Sequence, residues 1–290
     1  MFAKSLTLML KSRNTKPIHD NTITILRYIF IKIVKYLDIT LTLSVRDNSD
    51  IKIRTLPGCT ISEKLFVVGL YDYNGMSFLL EKLRTDDIFY DIGANIGPFS
   101  LLANRVTPNI YAFEGHPETT KRLKENFKLN GIAENKALNM AISEKPGEIN
   151  FRDEAGSAIN KILESDGNGI IVKCTSVDAF SKKHGIPRFI KIDTEGHEVS
   201  VIRGMKKSLS SGLIDYISFE ANGLATPNQL EEIFNELMSN NFNVGILDFN
   251  NKEFHVKNTL GEKSESGDYQ ALSKKLQNVI ISQGYSVILS

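Results

Sequence analysis

FYDIGANIGPFS, residues 89–100, decides the fold. Phe89 to Ile92 has the length and composition of a buried strand, with Asp91 at its end. Gly93 permits a tight turn and lets the backbone come close to a ligand. Asn95 stands where a second glycine is often found, and asparagine tolerates positive φ better than most residues. After Gly97, Pro98 suits the first turn of a helix. A strand, a glycine turn and a helix start make a nucleotide-binding corner, yet the spacing is not G-x-G-x-x-G. A pyrophosphate needs bare amides at a helix N-terminus, and Asp91 would repel it. A ligand with a cationic amino-acid end would welcome that carboxylate, and S-adenosylmethionine has one.

Outward from this corner, strands and helices alternate. NIYAFEG, KALNMAIS, GIIVKCT, RFIKIDT, DYISFEAN and NVGILDFN read as strands, and helical patterns separate most of them. The tail NVIISQGYSVILS is also strand-like, and GEINF reads as an edge strand or hairpin. Residues Asp153–Gly169 are polar and glycine-rich, a loop pattern. The rhythm predicts an α/β fold with a mostly parallel sheet covered on both faces. Ligands in such folds bind beyond the carboxyl ends of the strands. Those ends carry Asp91, Glu114, the Asn139–Ser143 stretch, Asp193 and Glu220.

Glu114 follows Asp91 by one strand, where an acid suits a ribose diol. The Asn139–Ser143 stretch of the third strand, Ala141 included, would line a flat base. The second cluster is KIDTEGHE, residues 191–198. Alternation puts Phe189, Lys191 and Asp193 on one side of their strand, and a lysine there needs a carboxylate partner. Asp193 and Glu220 are natural partners. A structural reading makes this cluster helix caps and a buried ion pair. The functional reading is a polar pocket that takes a hydroxyl proton, with Asp193 and His197 as candidate bases and Lys191 and Glu220 supporting them. The acids and histidine have no recognised metal-ligand spacing, so no metal is expected.

Lys+Arg 35 against Asp+Glu 34 gives no charge excess to attract a nucleic acid. Cys59 and Cys174 lie far apart and form no CxxC pattern, which suits a reducing, cytoplasmic setting. Arg27, Lys32, Lys35 and Asp38 interrupt the apolar run at residues 23–45, so it does not read as a membrane span. Leu26, Ile29, Phe30, Ile33 and Leu37 recur at helical spacing instead. That stripe packs on the main domain or makes a peripheral membrane contact. ITLTLSVR and IKIRTLPG read as strands, KLFVVGLYDY as another, and NGMSFLLEKL as a helix.

The ordered set DIGANIG, AFEGHPETTKRLKENFKLN, AIS, SVDAF and FIKIDTEGHEVSVIRGM resembles the FkbM-type S-adenosylmethionine-dependent methyltransferases over residues 65–220. The resemblance implies a class I methyltransferase, Rossmann-like, doubly wound fold. Its sheet would have seven strands, all parallel except one late strand. It implies O-methylation of a sugar, polysaccharide or secondary metabolite, hence a small-molecule or glycan acceptor. It places Asp91, Gly93, Ala94, Asn95 and Gly97 around the methionine end of the donor, Glu114 and Gly115 at the ribose, and Asp193 between donor and acceptor. Gly115-His116-Pro117 replaces a usually Pro-rich, Asn-containing stretch, and His197 stands where a small residue is commoner. The expected division is an extension, residues 1–64, which could carry membrane or homo-oligomer contacts, and a methyltransferase domain, residues 65–290. The alternatives are a non-catalytic binding module of the same fold and, less favoured, an NAD-dependent oxidoreductase.

Overall fold

The computed structural model describes residues 21–46, 48–55, 59–152, 169–221, 226–257 and 267–289. The expected loop Asp153–Gly169 lies outside them except for Gly169, as do the first 20 residues. The described residues begin with α1 (Asn21–Tyr36), the antiparallel pair β1 (Thr42–Val45) and β2 (Asn48–Arg54), then α2 (Thr60–Val67) and α3 (Tyr73–Lys82). The strand expected in KLFVVGLYDY is largely α2. Leu65, Phe66 and Val67 are buried there on more than one side, and Gly69 (φ 78°) follows the helix. An apolar run this short fits a buried helix as well as a strand.

The alternating region gives β3 (Phe89–Ile92), α4 (Pro98–Ala103), β4 (Ile110–Glu114), α5 (Pro117–Leu129) and β5 (Ala137–Asn139). The chain then leaves for a small sheet of β6 (Ala141–Ile142), β7 (Gly147–Arg152) and β8 (Gly169–Thr175), in the order β6-β8-β7. The expected third strand is therefore split at Met140 between two sheets. The alternation resumes with α6 (Val177–His184), β9 (Phe189–Ile192), α7 (Glu198–Arg203), α8 (Lys206–Ser210), β10 (Tyr216–Ala221), α9 (Pro227–Ser239) and β11 (Phe242–Asp248). The chain ends with β12 (Glu253–Val256), β13 (Gly267–Ser273), α10 (Lys274–Ser282) and β14 (Ser286–Leu289). The strand-like tail is thus half helix.

Among the described residues the main sheet has nine strands rather than seven, in the order β14-β12-β11-β13-β10-β9-β3-β4-β5. Seven of them, from β11 to β5 in that order, make the expected doubly wound core with β13 as its antiparallel strand. β12 pairs antiparallel with β11, and β14 runs parallel to β12, so the sheet continues past the expected edge. Alternation sorts the core onto two faces. Phe89, Ile110, Ala112 and Phe189 pack on one face, and Tyr90, Ile92, Phe113 and Ile190 on the other. Asp91 and Lys191 are cross-strand partners on the Phe89 side.

α1 packs through Thr24, Tyr28, Ile31 and Val34 against Phe66, Val67 and Val68. The stripe expected to pack on the main domain or to make a peripheral membrane contact, Leu26, Ile29, Phe30, Ile33 and Leu37, is exposed rather than packed on the domain. The cations explain the inversion. Lys32 and Lys35 reach Glu63 of α2 at 2.6 and 3.3 Å, and the Arg27 guanidinium donates to the Phe66 carbonyl at 2.8 Å while lying over its ring. No helix among the described residues is long and apolar enough to cross a membrane.

Candidate active site

Asp91 is fully buried beneath the turn. Its Oδ2 accepts from the Ser100 amide at 3.0 Å and the Ser100 hydroxyl at 2.7 Å, so it anchors the first turn of α4. Its Oδ1 accepts no hydrogen bond among the described residues, and Lys191 Nζ lies 3.8 Å away. Burial pushes the carboxyl above its usual range, against the Lys191 charge and the Ser100 bonds.

The turn itself needs glycine. Gly93 has φ 74°, and a Cβ there would stand 1.8 Å from the Asp193 carbonyl oxygen, where β3 and β9 end side by side. Asn95 (φ 52°) and Gly97 (φ 91°) are also left-handed. The loop amides are committed. Gly93 and Ala94 both donate to the Phe113 carbonyl at 2.9 Å, Gly97 donates to the Ala94 carbonyl at 2.9 Å, and Asn95 donates to Glu114 Oε2 at 3.0 Å. Glu114 Oε1 accepts from the His116 amide at 2.9 Å, so each carboxylate oxygen is fixed by one backbone bond and keeps a lone pair for a ligand. Burial raises the Glu114 carboxyl, against those two bonds. His116 caps α5 through its ring, which accepts from the Thr119 amide. The departure from the usual Pro-rich stretch is therefore a working helix start. The Phe151 ring of β7 covers Gly115, where a Cβ would fall 2.6 Å from it.

On the other side, Lys191 Nζ donates to Asp193 Oδ2 at 3.0 Å and to the Gly93 carbonyl at 3.1 Å. Burial alone would lower the Lys191 ammonium, but Asp193 and Asp91 together hold it above its usual value. It is a fixed cation under the turn. Glu198 folds back to accept from the Thr194 and Gly196 amides and the Thr194 hydroxyl. That bonding shapes a loop in which Glu195 (φ 54°) and Gly196 (φ 103°) are left-handed. Glu220, next to Asp193 across the sheet and opposite Asp268 of β13, is pushed up to about 8 by burial and then by the charges of Asp193, Asp268 and Glu195. Tyr71 is pushed well up by burial and by Asp193, Asp72, Asp91 and Asp268. His197 turns away from this group, its Nε2 2.9 Å from the Ser143 hydroxyl, and burial pulls its imidazole down to about 4.

One cleft collects part of this set. Of the expected donor-site residues, Gly93, Asn95, Glu114, Gly115 and Ala141 line it, while Asp91, Ala94 and Gly97 lie behind its wall. Of the expected catalytic residues, Asp193 lines it, and Lys191, Glu220 and His197 do not. Met140 and Ile142, within the Asn139–Ser143 stretch expected to line the base, also line the cleft, whereas sequence reasoning missed Ile92, Phe113, Phe151 and the lining role of Thr194 and Glu195. Phe151 arrives from a separate sheet and carried no signal. Met140 stood at a strand break that its amide bond to the Glu114 carbonyl explains.

The profile of the methyltransferase FkbM domain matches residues 91–246. The chain belongs to the FkbM methyltransferase family. This FkbM protein is 29% identical over 161 residues to the hexuronic acid methyltransferase AglP of Haloferax volcanii, a match covering 54% of this chain and 65% of that protein. The chain thus spans somewhat under two thirds of that relative. Among solved structures, it resembles the FkbM methyltransferase of Methylobacillus flagellatus KT (14% identity, 66% of this chain and 44% of that one, TM-score 0.45). It also resembles SMU.1697c of Streptococcus mutans in complex with SAH (11% identity, 68% and 94%, TM-score 0.41).

Proposed function

We propose that this protein is an S-adenosylmethionine-dependent methyltransferase that methylates a hydroxyl group of a sugar or glycan. The observation that carries the reading is the Glu114 carboxylate, clamped by two backbone amides at the cleft wall beside a turn whose amides are already bonded. A pyrophosphate would find few free donors there, whereas a ribose diol finds a carboxylate with lone pairs to spare. The residues fit the methyl donor in one further respect: Gly115 has no side chain, so the Phe151 ring closes over it and forms an apolar wall of the same cleft.

The bound donor supplies an already activated methyl group. The chain's part is then to hold, orient and deprotonate. Gly93, Asn95 and Glu114 bind, and Ala141, Met140, Ile142 and Phe151 give apolar walls for a base and exclude water. Lys191 ties the turn and Asp193 together through one ammonium group. Asp193 is the group that takes the acceptor proton as charge develops on oxygen. Glu220 keeps its own proton near neutral pH and steadies Asp193. His197 positions Ser143 rather than acting as the base, because its imidazole gains a proton only near pH 4. Asp193, Glu195, Glu220 and Asp268 gather on the acceptor side, which favours a neutral hydroxyl over a second carboxylate.

Calorimetry with S-adenosylhomocysteine and NADH tests the donor, and Glu114→Ala is expected to lose the first ligand. Methyl transfer to neutral glycosides and to hexuronates tests the acceptor. Binding of NADH without S-adenosylhomocysteine would overturn the reading, and a hexuronate methyl ester as the sole product would overturn the hydroxyl assignment.

A further inference from the structure

We infer that two copies of this chain associate through the outer face of α1. At 3.6 residues per turn, Leu26, Ile29, Phe30, Ile33 and Tyr36, with Leu37 just past the helix end, form an apolar stripe about 120° wide with no charged residue inside it. All six are exposed, Leu26 by 61%, Ile33 by 52% and Tyr36 by 88%. The inner half is already used against α2.

The exposed apolar side chains of α1 present on the order of 700 Å² to solvent, more than the roughly 300–600 Å² of the largest patch on a typical monomer and close to the roughly 800 Å² per partner of a standard interface. Phe30 and Tyr36 supply the aromatic anchors such interfaces favour. Charge argues for a second copy over a lipid surface. Helices that lie on anionic membranes bring cations to the headgroups. Here Lys32 and Lys35 are held by Glu63, and Arg27 is held on Phe66. Two α1 helices crossing at Ile29 and Ile33, one turn apart at the centre of the stripe, bury both stripes at once.

Sedimentation velocity on the full chain tests this. The expected mass is twice the 32.5 kDa of one chain at micromolar concentration. Ile33→Asp and Leu26→Asp, both at exposed positions, are expected to raise the dimer dissociation constant at least ~100-fold with unchanged circular dichroism. A wild-type monomer at about 20 µM, well above a dissociation constant of about 1 µM, overturns the inference, as does a dimer that both substitutions leave intact. Vesicles of phosphatidylcholine with phosphatidylserine provide the competing arm. A monomer that sediments with them, and is released by Ile33→Asp, assigns the face to lipid and overturns the dimer.

Discussion

Lys191→Met is expected to cost about 3–5 kcal/mol of stability at pH 8, the usual loss when one member of a buried ion pair is removed. The Lys191 side chain is 11% exposed, with Asp193 Oδ2 at 3.0 Å and Asp91 Oδ1 at 3.8 Å. At an effective dielectric constant of about 20, those distances correspond to attractions of about 5 and 4 kcal/mol, much of which desolvation offsets. The two carboxylates respond differently to the loss. The Asp193 side chain is 32% exposed and rehydrates, whereas that of Asp91 is 1% exposed and cannot. Asp91 is already held above its usual range by burial, and losing the lysine raises it further. A carboxyl raised in the folded state loses stability as pH climbs from its unfolded value to its folded one. The deficit of the variant is therefore smaller at pH 5 than at pH 8. Urea unfolding at both pH values measures it, and Lys191→Met combined with Asp91→Asn is expected to recover more than half. A deficit below about 1 kcal/mol at pH 8, far short of a broken buried pair, or one that pH leaves unchanged, refutes the reasoning.

Three further outcomes follow from the geometry. Gly115→Ala is expected to push Phe151 off the cleft wall and weaken S-adenosylhomocysteine binding about tenfold, with a stability cost of about 1–3 kcal/mol for overpacking; adding Phe151→Ala should restore room, and calorimetry reads both. Glu220 titrates near 8 in the folded state, so thermal stability should fall as pH rises from about 4.5 through about 8, a loss that Glu220→Gln removes. His197 stays neutral down to about pH 4 when folded, so stability should fall as pH drops below about 6.5, its ordinary value, and His197→Gln should flatten that acid limb in the same thermal series.

The corner at residues 89–100 was legible because its demands are local. A buried strand, a glycine at positive φ and a proline-led helix each leave a mark within a few residues. Strand ends were legible for the same reason, and they brought Glu114 and Asp193 to one cleft. What failed depended on partners distant in sequence. The inward face of α1 was hidden because Glu63, some 30 residues later, draws its lysines inward. Phe151 reaches the cleft from a side sheet whose strand order no local pattern announces. Asp91 looked like a ligand contact because it ends a strand, yet Ser100 and Lys191 claim it from opposite sides. The two strands beyond the expected edge, β12 and β14, followed from hairpin and crossover pairing rather than from composition.

Asn126 of α5 joins two regions that the sequence separates. Its side-chain amide donates to the Ile96 carbonyl in the glycine turn at 2.9 Å, and its oxygen accepts from the Arg54 amide of β2 at the same distance. Asn130, one turn later, accepts from the Lys52 amide at 2.8 Å. The N-terminal strand pair and the turn thus share one anchor on α5, and they are expected to open together. Hydrogen exchange at the Lys52 and Arg54 amides should slow when a ligand fills the cleft, although neither residue lines it. The first described strands are thus expected to report on the state of a site they do not line.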